Sequence, residues 1–289
     1  MRYTGQVIRP PSEANSYLLQ ITYGCSWNRC TFCPAYLGKP FKVRPVDEIA
    51  EDIRMARAAY PEVKRVFLCD GDGLALSTDR LLPILDLLNK TFPELRRVGI
   101  YFNARDILSK GETEIQELVQ RKLGIGYIGL ESGSNKVLER VRKGATAQEI
   151  ITAVQKAQEN GMKISVIGLL GLGGTALSEE HAIETAAAVS AMKPRYFSLL
   201  TLMIVKGTPL YDDFKTGTFI LPDEKGLLRE MRTIIRNIKT EKTIFRTNHA
   251  SNYLPLEGIL SRDAQKLVAI IDQALSGKIP LKPEFFRGL

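Results

Sequence analysis

Three of the four cysteines stand in one short segment, Cys25-Ser26-Trp27-Asn28-Arg29-Cys30-Thr31-Phe32-Cys33. The spacing C-x4-C-x2-C places three soft sulfur ligands on one loop, and thiolates suit iron–sulfur clusters and zinc. Structural zinc usually takes four ligands, often as two separated pairs. The only further cysteine is Cys69, and the two histidines, His181 and His249, are distant in sequence. Three thiolates on a [4Fe–4S] cluster would leave one iron open to a cofactor or substrate. The same spacing with a distant fourth Cys is also the plant-type ferredoxin arrangement, which would make a closed electron-transfer or regulatory centre with Cys69 as the last ligand. Against that, Cys69 ends the apolar run Val66-Phe67-Leu68, where a Cys is commonly a small hydrophobe. Zinc and cysteines without a ligand role remain as alternatives.

The elements that must position this loop are legible in the alternation of apolar runs with amphipathic stretches. Strands are expected at 17–22, 65–69, 98–102, 126–130, 163–169 and 195–200. Helices are expected at 47–59, 78–88, 112–120, near Asn135, and at 147–159, 178–192, 227–238 and 261–274. Ser178 followed by Glu179 and Glu180 suits a helix start, because acids complement the dipole there. This alternation argues for βαβ units and a parallel sheet, as an α/β fold with a partial to complete (β/α) barrel. The cysteines follow the first strand directly, at the C-terminal end of a parallel strand, where α/β barrels carry their active sites. Residues 1–16 read as an N-terminal extension, 17–215 as the barrel, and 216–289 as a C-terminal helical, substrate-side extension.

Composition sets the outer bounds. The chain has 289 residues, 44% hydrophobic and 25% charged, which excludes disorder, collagen and coiled coil as its main state. The net charge of +8 favours anionic partners, though no nucleic-acid-binding motif or Lys/Arg block stands out. Few cysteines, no apolar h-region at the start and no long apolar run lead to the expectation of a cytoplasmic protein without a membrane span.

The loop, with an aromatic residue immediately before its last Cys, resembles that of the radical S-adenosylmethionine (SAM) superfamily, whose usual motif is C-x3-C-x2-C. This chain has one residue more between Cys25 and Cys30. Its G-C-x-x-N-R-C-T-F-C form is similar to loops of a poorly characterised branch, and the core is similar to oxygen-independent coproporphyrinogen oxidase-type domains over about residues 14–215. The resemblance implies that Cys25, Cys30 and Cys33 ligate a [4Fe–4S] cluster. It implies further that SAM is reductively cleaved there to a 5′-deoxyadenosyl radical, which abstracts hydrogen from a substrate, in an oxygen-sensitive enzyme fed by a donor such as flavodoxin or ferredoxin.

The remaining candidate residues follow the later strands. Asp70-Gly71-Asp72 is similar to the stretch that binds the SAM amino group; without the cysteine loop it would read as an Asp/Gly turn. Asn103 or Arg105 could meet the SAM carboxylate or ribose, or Asn103 could cap a helix. Glu131, Ser132 and Lys143 lie in a pattern, G-L-E-S followed by R-K-G, that implies contacts with the ribose and the SAM carboxylate. Among the glycines of 168–174, Gly171 would permit close approach of adenine or substrate; their spacing is not the Rossmann fingerprint. His181 reads as a core or capping residue rather than a catalytic one. Arg246 to Tyr253, with His249, reads as a polar loop or as a substrate-recognition segment. The absence of a cobalamin-type domain, a second cysteine cluster or an RNA-binding domain favours a small organic substrate, with RNA or protein modification as the alternative.

Overall fold

The computed structural model describes residues 2–288. Strands β1 (Tyr17–Gln20), β2 (Thr22–Tyr23) and β3 (Lys42–Val43) come first, followed by α1 (Val46–Ala59), β4 (Arg65–Cys69) and α2 (Thr78–Thr91). Next are β5 (Arg97–Tyr101), α3 (Ala104–Leu108), α4 (Glu112–Gln120), β6 (Leu123–Glu131), α5 (Asn135–Arg140) and α6 (Ala147–Glu159). The chain continues through β7 (Lys163–Leu170), α7 (Ser178–Met192), β8 (Tyr196–Thr201), α8 (Pro209–Lys215) and α9 (Glu224–Asn237). It closes with β9 (Ile244–Arg246), β10 (Glu257–Ile259) and α10 (Leu260–Leu275). Parallel strands joined through helices, a mixed sheet and late helices make this the α/β fold expected, a partial (β/α) barrel with C-terminal helices.

The chain divides into two compact units. The first is Met1–Asn28, Ala35–Ile128 and Thr152–Ile164. Within it β1, β4, β5 and β6 run parallel in that order, with Leu18 opposite Phe67, Val66 opposite Val98 and Tyr101 opposite Tyr127. The β4 run Val66-Phe67-Leu68-Cys69 is wholly buried, as a parallel strand covered on both faces requires. Helix α1 buries Ile49, Ile53 and Ala56, and α2 buries Leu81, Leu85 and Leu88, each a stripe at helical spacing. The expected first strand is shorter than 17–22. It ends at Gln20, and Thr22–Tyr23 turn away to pair antiparallel with Lys42–Val43.

The second unit is Arg29–Pro34, Gly129–Ile151 and Ser165–Leu289. Here β7, β8 and β9 are parallel neighbours, and β10 returns antiparallel along β9, with Gly258 opposite Phe245. Side-chain caps start several of its helices, among them Ser134 on α5, Thr208 on α8 ahead of Pro209, and Asp223 on α9. Helix α9 packs on α7 and α10 with Leu227, Leu228, Met231, Ile234 and Ile235 buried. Strands β9 and β10 and helices α3 and α8 have no counterpart among the expected elements. Each is short, and a run of three residues carries too little periodicity to be seen before its pairing partner is known.

Candidate functional site

The cysteine loop belongs to the two units in turn. In the first unit, Asn28 adopts a left-handed conformation, φ +44°, that an Asn tolerates better than most residues. Its amide donates to the carbonyls of Tyr36 (2.8 Å) and Lys39 (3.2 Å). In the second unit, Thr31 N–H donates to Val141 O at 2.9 Å, and Thr31 O accepts from Leu210 N–H at 3.0 Å. Phe32 packs against the buried cluster of Val137, Val141, Leu169, Leu172, Leu202, Leu210 and Phe219, which accounts for an aromatic at that position. All four cysteines are unbridged: Cys25, Cys30 and Cys33 are half-buried and Cys69 is buried.

Three half-buried thiols on one loop fit an iron–sulfur cluster by donor chemistry, as ligands that bind iron once deprotonated. Among the described residues no group of three His, Cys, Asp or Glu side chains is gathered as a metal site. Cys69 has a different environment. Its S–H points to Phe67 O, and burial pushes its pKa up.

Also in the first unit, Asp70 and Asp72 follow β4 and are both buried. Tyr36 donates its phenol proton to Asp70 Oδ1 at 2.7 Å, and Asp70 N–H donates to Thr22 Oγ1 at 3.1 Å. Burial raises the Asp70 pKa, with the Tyr36 hydrogen bond opposing it. The Tyr36 ring lies so close to Gly71 that a Cβ there would come within 2.3 Å of it, so only glycine fits. Asp72 Oδ2 accepts from Asn103 Nδ2 at 2.8 Å and from Ser26 Oγ, and Arg105 reaches it at 3.4 Å. Arg105 also donates to Ser26 Oγ and stands over the Trp27 ring, 5.5 Å from its centroid. Asp72 Oδ1 is buried and has no hydrogen-bond partner among the described residues. Such an acceptor is costly unless a donor arrives; the Asp106 carboxyl, which interacts with Asp72, is one when protonated, and an ammonium group of a bound cofactor is another. Asn103 is at once an Asp72 partner and the cap of α3, where its backbone N–H donates to Asp106 Oδ2 at 2.6 Å. Burial, and after it the Asp72 carboxylate, push the Asp106 pKa up to about 8.

In the second unit, Glu131 ends β6 with a left-handed backbone, φ +61°. Its carboxylate folds back over Gly129, where a Cβ would come within 1.9 Å of Oε1, and pairs with Lys143 Nζ at 3.0 Å. Ser132 is buried and meets His181 Nδ1 at 2.7 Å. Gly171 donates its N–H to Glu230 Oε1 at 2.6 Å, and the space beside its Cα is filled by Leu227 and Leu221. His181 is fully buried, as a core histidine is. The segment after β9 is largely a structural knot. Asn252 donates to Leu199 O and Thr247 O and accepts from Thr201 Oγ1, while His249 Nδ1 accepts from Ser251 N–H at 3.1 Å.

The structure thus brings Asp72, Asn103 and Arg105 together in one unit, and Glu131 with Lys143 in the other. Sequence reasoning missed Ser26, Asp106 and Glu230. Asp106 was readable as the third residue after an Asn cap. Glu230 was readable as an acid inside the apolar stripe of α9.

Comparison with known proteins adds the family. Residues 19–186 match the radical SAM superfamily. The heme chaperone HemW of Bacillus subtilis is 23% identical over 193 residues, covering 63% of this chain and 49% of that protein. A tRNA-2-methylthio-N(6)-dimethylallyladenosine synthase of Thermoanaerobacter is 23% identical over 287 residues, covering 90% of this chain and 57% of that protein. The chain therefore spans about half the length of these relatives. The radical SAM methyltransferase TsrM of Kitasatospora setae, solved with cobalamin and a [4Fe–4S] cluster, shares the fold with a TM-score of 0.54 at 17% identity, over 68% of this chain and 38% of that one. Among the described residues no helix is long and apolar enough to cross a membrane.

Proposed function

The chain belongs to the radical SAM superfamily, and on that premise we propose that Cys25, Cys30 and Cys33 hold a [4Fe–4S] cluster that binds SAM at its open iron. When bound, that cluster supplies one electron to cleave SAM, and the resulting 5′-deoxyadenosyl radical takes a hydrogen atom from substrate. The observation that carries the reading is the set of three half-buried thiols on one loop, with Cys69 buried at the end of β4.

This chain's residues bind and orient. Asp72 Oδ1 accepts from the SAM ammonium, while Asn103, Ser26 and Arg105 fix the other carboxylate oxygen. In the second unit Glu131 takes a ribose hydroxyl, and Lys143 offers positive charge to the SAM carboxylate. Gly171 stands in the turn assigned to adenine, its N–H held by Glu230. Phe32 anchors the loop end that carries Cys33. Asp70, covered by Tyr36, supports the turn rather than touching SAM directly. A flavodoxin or ferredoxin supplies the electron, in the cytoplasm, and the substrate is a small organic molecule.

A second reading is favoured by the +8 charge and by the tRNA-modifying name of one relative: the substrate is RNA. Salt-dependent binding of tRNA to the reconstituted protein supports it, and salt-independent or absent binding removes it.

The test of the main reading is anaerobic. Wild type and Cys69→Ala are reconstituted with iron and sulfide, given SAM and dithionite, and assayed for 5′-deoxyadenosine by mass spectrometry. Both are expected to make it. A wild type that makes none, while holding a cluster that Cys69→Ala loses, overturns the reading in favour of a closed electron-transfer centre.

A further inference from the structure

Resting on the reading that this chain binds SAM, we infer that Glu230 is a positioning residue for the cofactor. Its carboxylate holds the turn after β7 through Gly171, and faces His181, which bonds Ser132 in the turn after β6. Glu230 lies on α9, outside the residues that match the family. It interrupts the buried stripe Leu227, Leu228, Met231, Ile234 and Ile235, where a carboxylate is tolerated only if its oxygens are satisfied. They are: Oε1 accepts from Gly171 N–H at 2.6 Å, and Oε2 accepts from Ser178 Oγ at 2.6 Å.

His181 Nε2 faces the same Oε1 at 3.4 Å, a charge contact and not a hydrogen bond, since Nε2 has no hydrogen-bond partner among the described residues. The carboxylate draws the imidazole proton to Nε2. Nδ1 is then the acceptor for the Ser132 hydroxyl at 2.7 Å, and Ser132 Oγ in turn accepts from Ser134 N–H at 3.0 Å. Donation runs from Ser134 through Ser132 to His181, whose Nε2 faces Glu230 by charge, and these side chains are all buried.

What this chain of contacts holds is specific. Ser132 follows Glu131, a non-glycine residue at φ +61°, and Gly171 stands at φ +84°. A left-handed Glu persists only where its surroundings over-determine it, and such positions cluster at ligand sites. Glu131 and Gly171 are the two residues of this unit proposed to face the ribose and adenine. Apolar residues could fill the same space without the cost of a buried acid. The carboxylate gives both turns one common anchor.

The test compares anaerobically reconstituted wild type, Glu230→Gln and Glu230→Ala. Iron per chain, the SAM dissociation constant by equilibrium dialysis, and the KM for SAM and maximal rate of 5′-deoxyadenosine formation are measured. Glu230→Ala is expected to keep wild-type iron and maximal rate while weakening SAM binding about tenfold or more, the usual cost of losing a group that orients ligating residues. Glu230→Gln keeps an oxygen for Gly171 N–H and is expected to recover most of the affinity. SAM bound by Glu230→Ala as tightly as by wild type overturns the inference, as does iron lost in step with SAM. Should Glu230→Ala not fold, His181→Asn cuts the link to Ser132 alone, and a wild-type SAM affinity in that variant overturns the inference equally. A wild type that takes up iron and binds no SAM overturns the cofactor reading, and this inference with it.

Discussion

Lys143 Nζ donates to Glu131 Oε1 across 3.0 Å, and the two side chains are only 10% and 14% exposed. Two charges so poorly hydrated depend on each other, because removing one leaves the other without its counter-ion. Lys143→Met is therefore expected to destabilise the cofactor-free protein by about 1–3 kcal/mol, and Glu131→Gln by less, since the amide oxygen still accepts from Lys143 Nζ. Urea unfolding measures both. Equal, negligible losses would mean that water already screens the pair.

Asp106 gives a pH signature. Its pKa is pushed up to about 8, first by burial and then by the Asp72 carboxylate. Between the ordinary Asp pKa and that value the folded chain holds a proton that the unfolded chain has lost. Stability from this group is therefore full at acid pH and declines as pH rises toward about 8. In Asp106→Asn this decline is expected to disappear, a difference on the order of 2 kcal/mol between mildly acid and mildly alkaline buffer. Denaturant unfolding of the iron-free protein across that range measures it, and identical slopes in both proteins would contradict it.

Tyr36 covers the Asp70-Gly71 turn in two ways, by a hydrogen bond and by ring contact. Tyr36→Phe keeps the ring and strips the donor from a buried carboxyl, and is expected to cost about 1–3 kcal/mol. Gly71→Ala drives a methyl group into the ring and is expected to cost a similar amount, about 1–3 kcal/mol. Combining Gly71→Ala with Tyr36→Ala should relieve the clash, so the double variant is less destabilised than the sum of the singles. Strict additivity in a double-mutant cycle would count against the contact.

Iron content separates the cysteines. After anaerobic reconstitution, Cys25→Ala, Cys30→Ala and Cys33→Ala are each expected to lose most of their iron, whereas Cys69→Ala keeps it. Iron retained in Cys30→Ala would remove the three-thiol ligand set.

The sequence reading recovers the strand–helix order well where apolar runs are long. The strand at 65–69 and the helices at 112–120, 147–159 and 178–192 have the bounds expected. Those segments state their own period. Short elements such as β9 and β10 do not, because three residues become a strand only when a neighbour supplies the hydrogen bonds. The site divides the same way. Asp72, Asn103, Glu131 and Lys143 were visible because strand ends and family likeness point at them. Ser26 was not, because its role depends on which distant groups the fold brings to it, and Glu230 stood out only as an acid in an apolar stripe, without its partners.

Thr31 is held by its main chain alone. Its N–H and its carbonyl are both taken, by Val141 and Leu210, while its buried hydroxyl oxygen has no hydrogen-bond partner among the described residues. Fixation between two of the cysteines thus passes through atoms that every residue except proline carries. A valine at this position would occupy nearly the same volume and relieve an unsatisfied oxygen. Selection acting here would therefore read a backbone address rather than a chemical group, and the tolerance of position 31 to exchange would stand beside near-intolerance at Phe32, whose ring is its anchor.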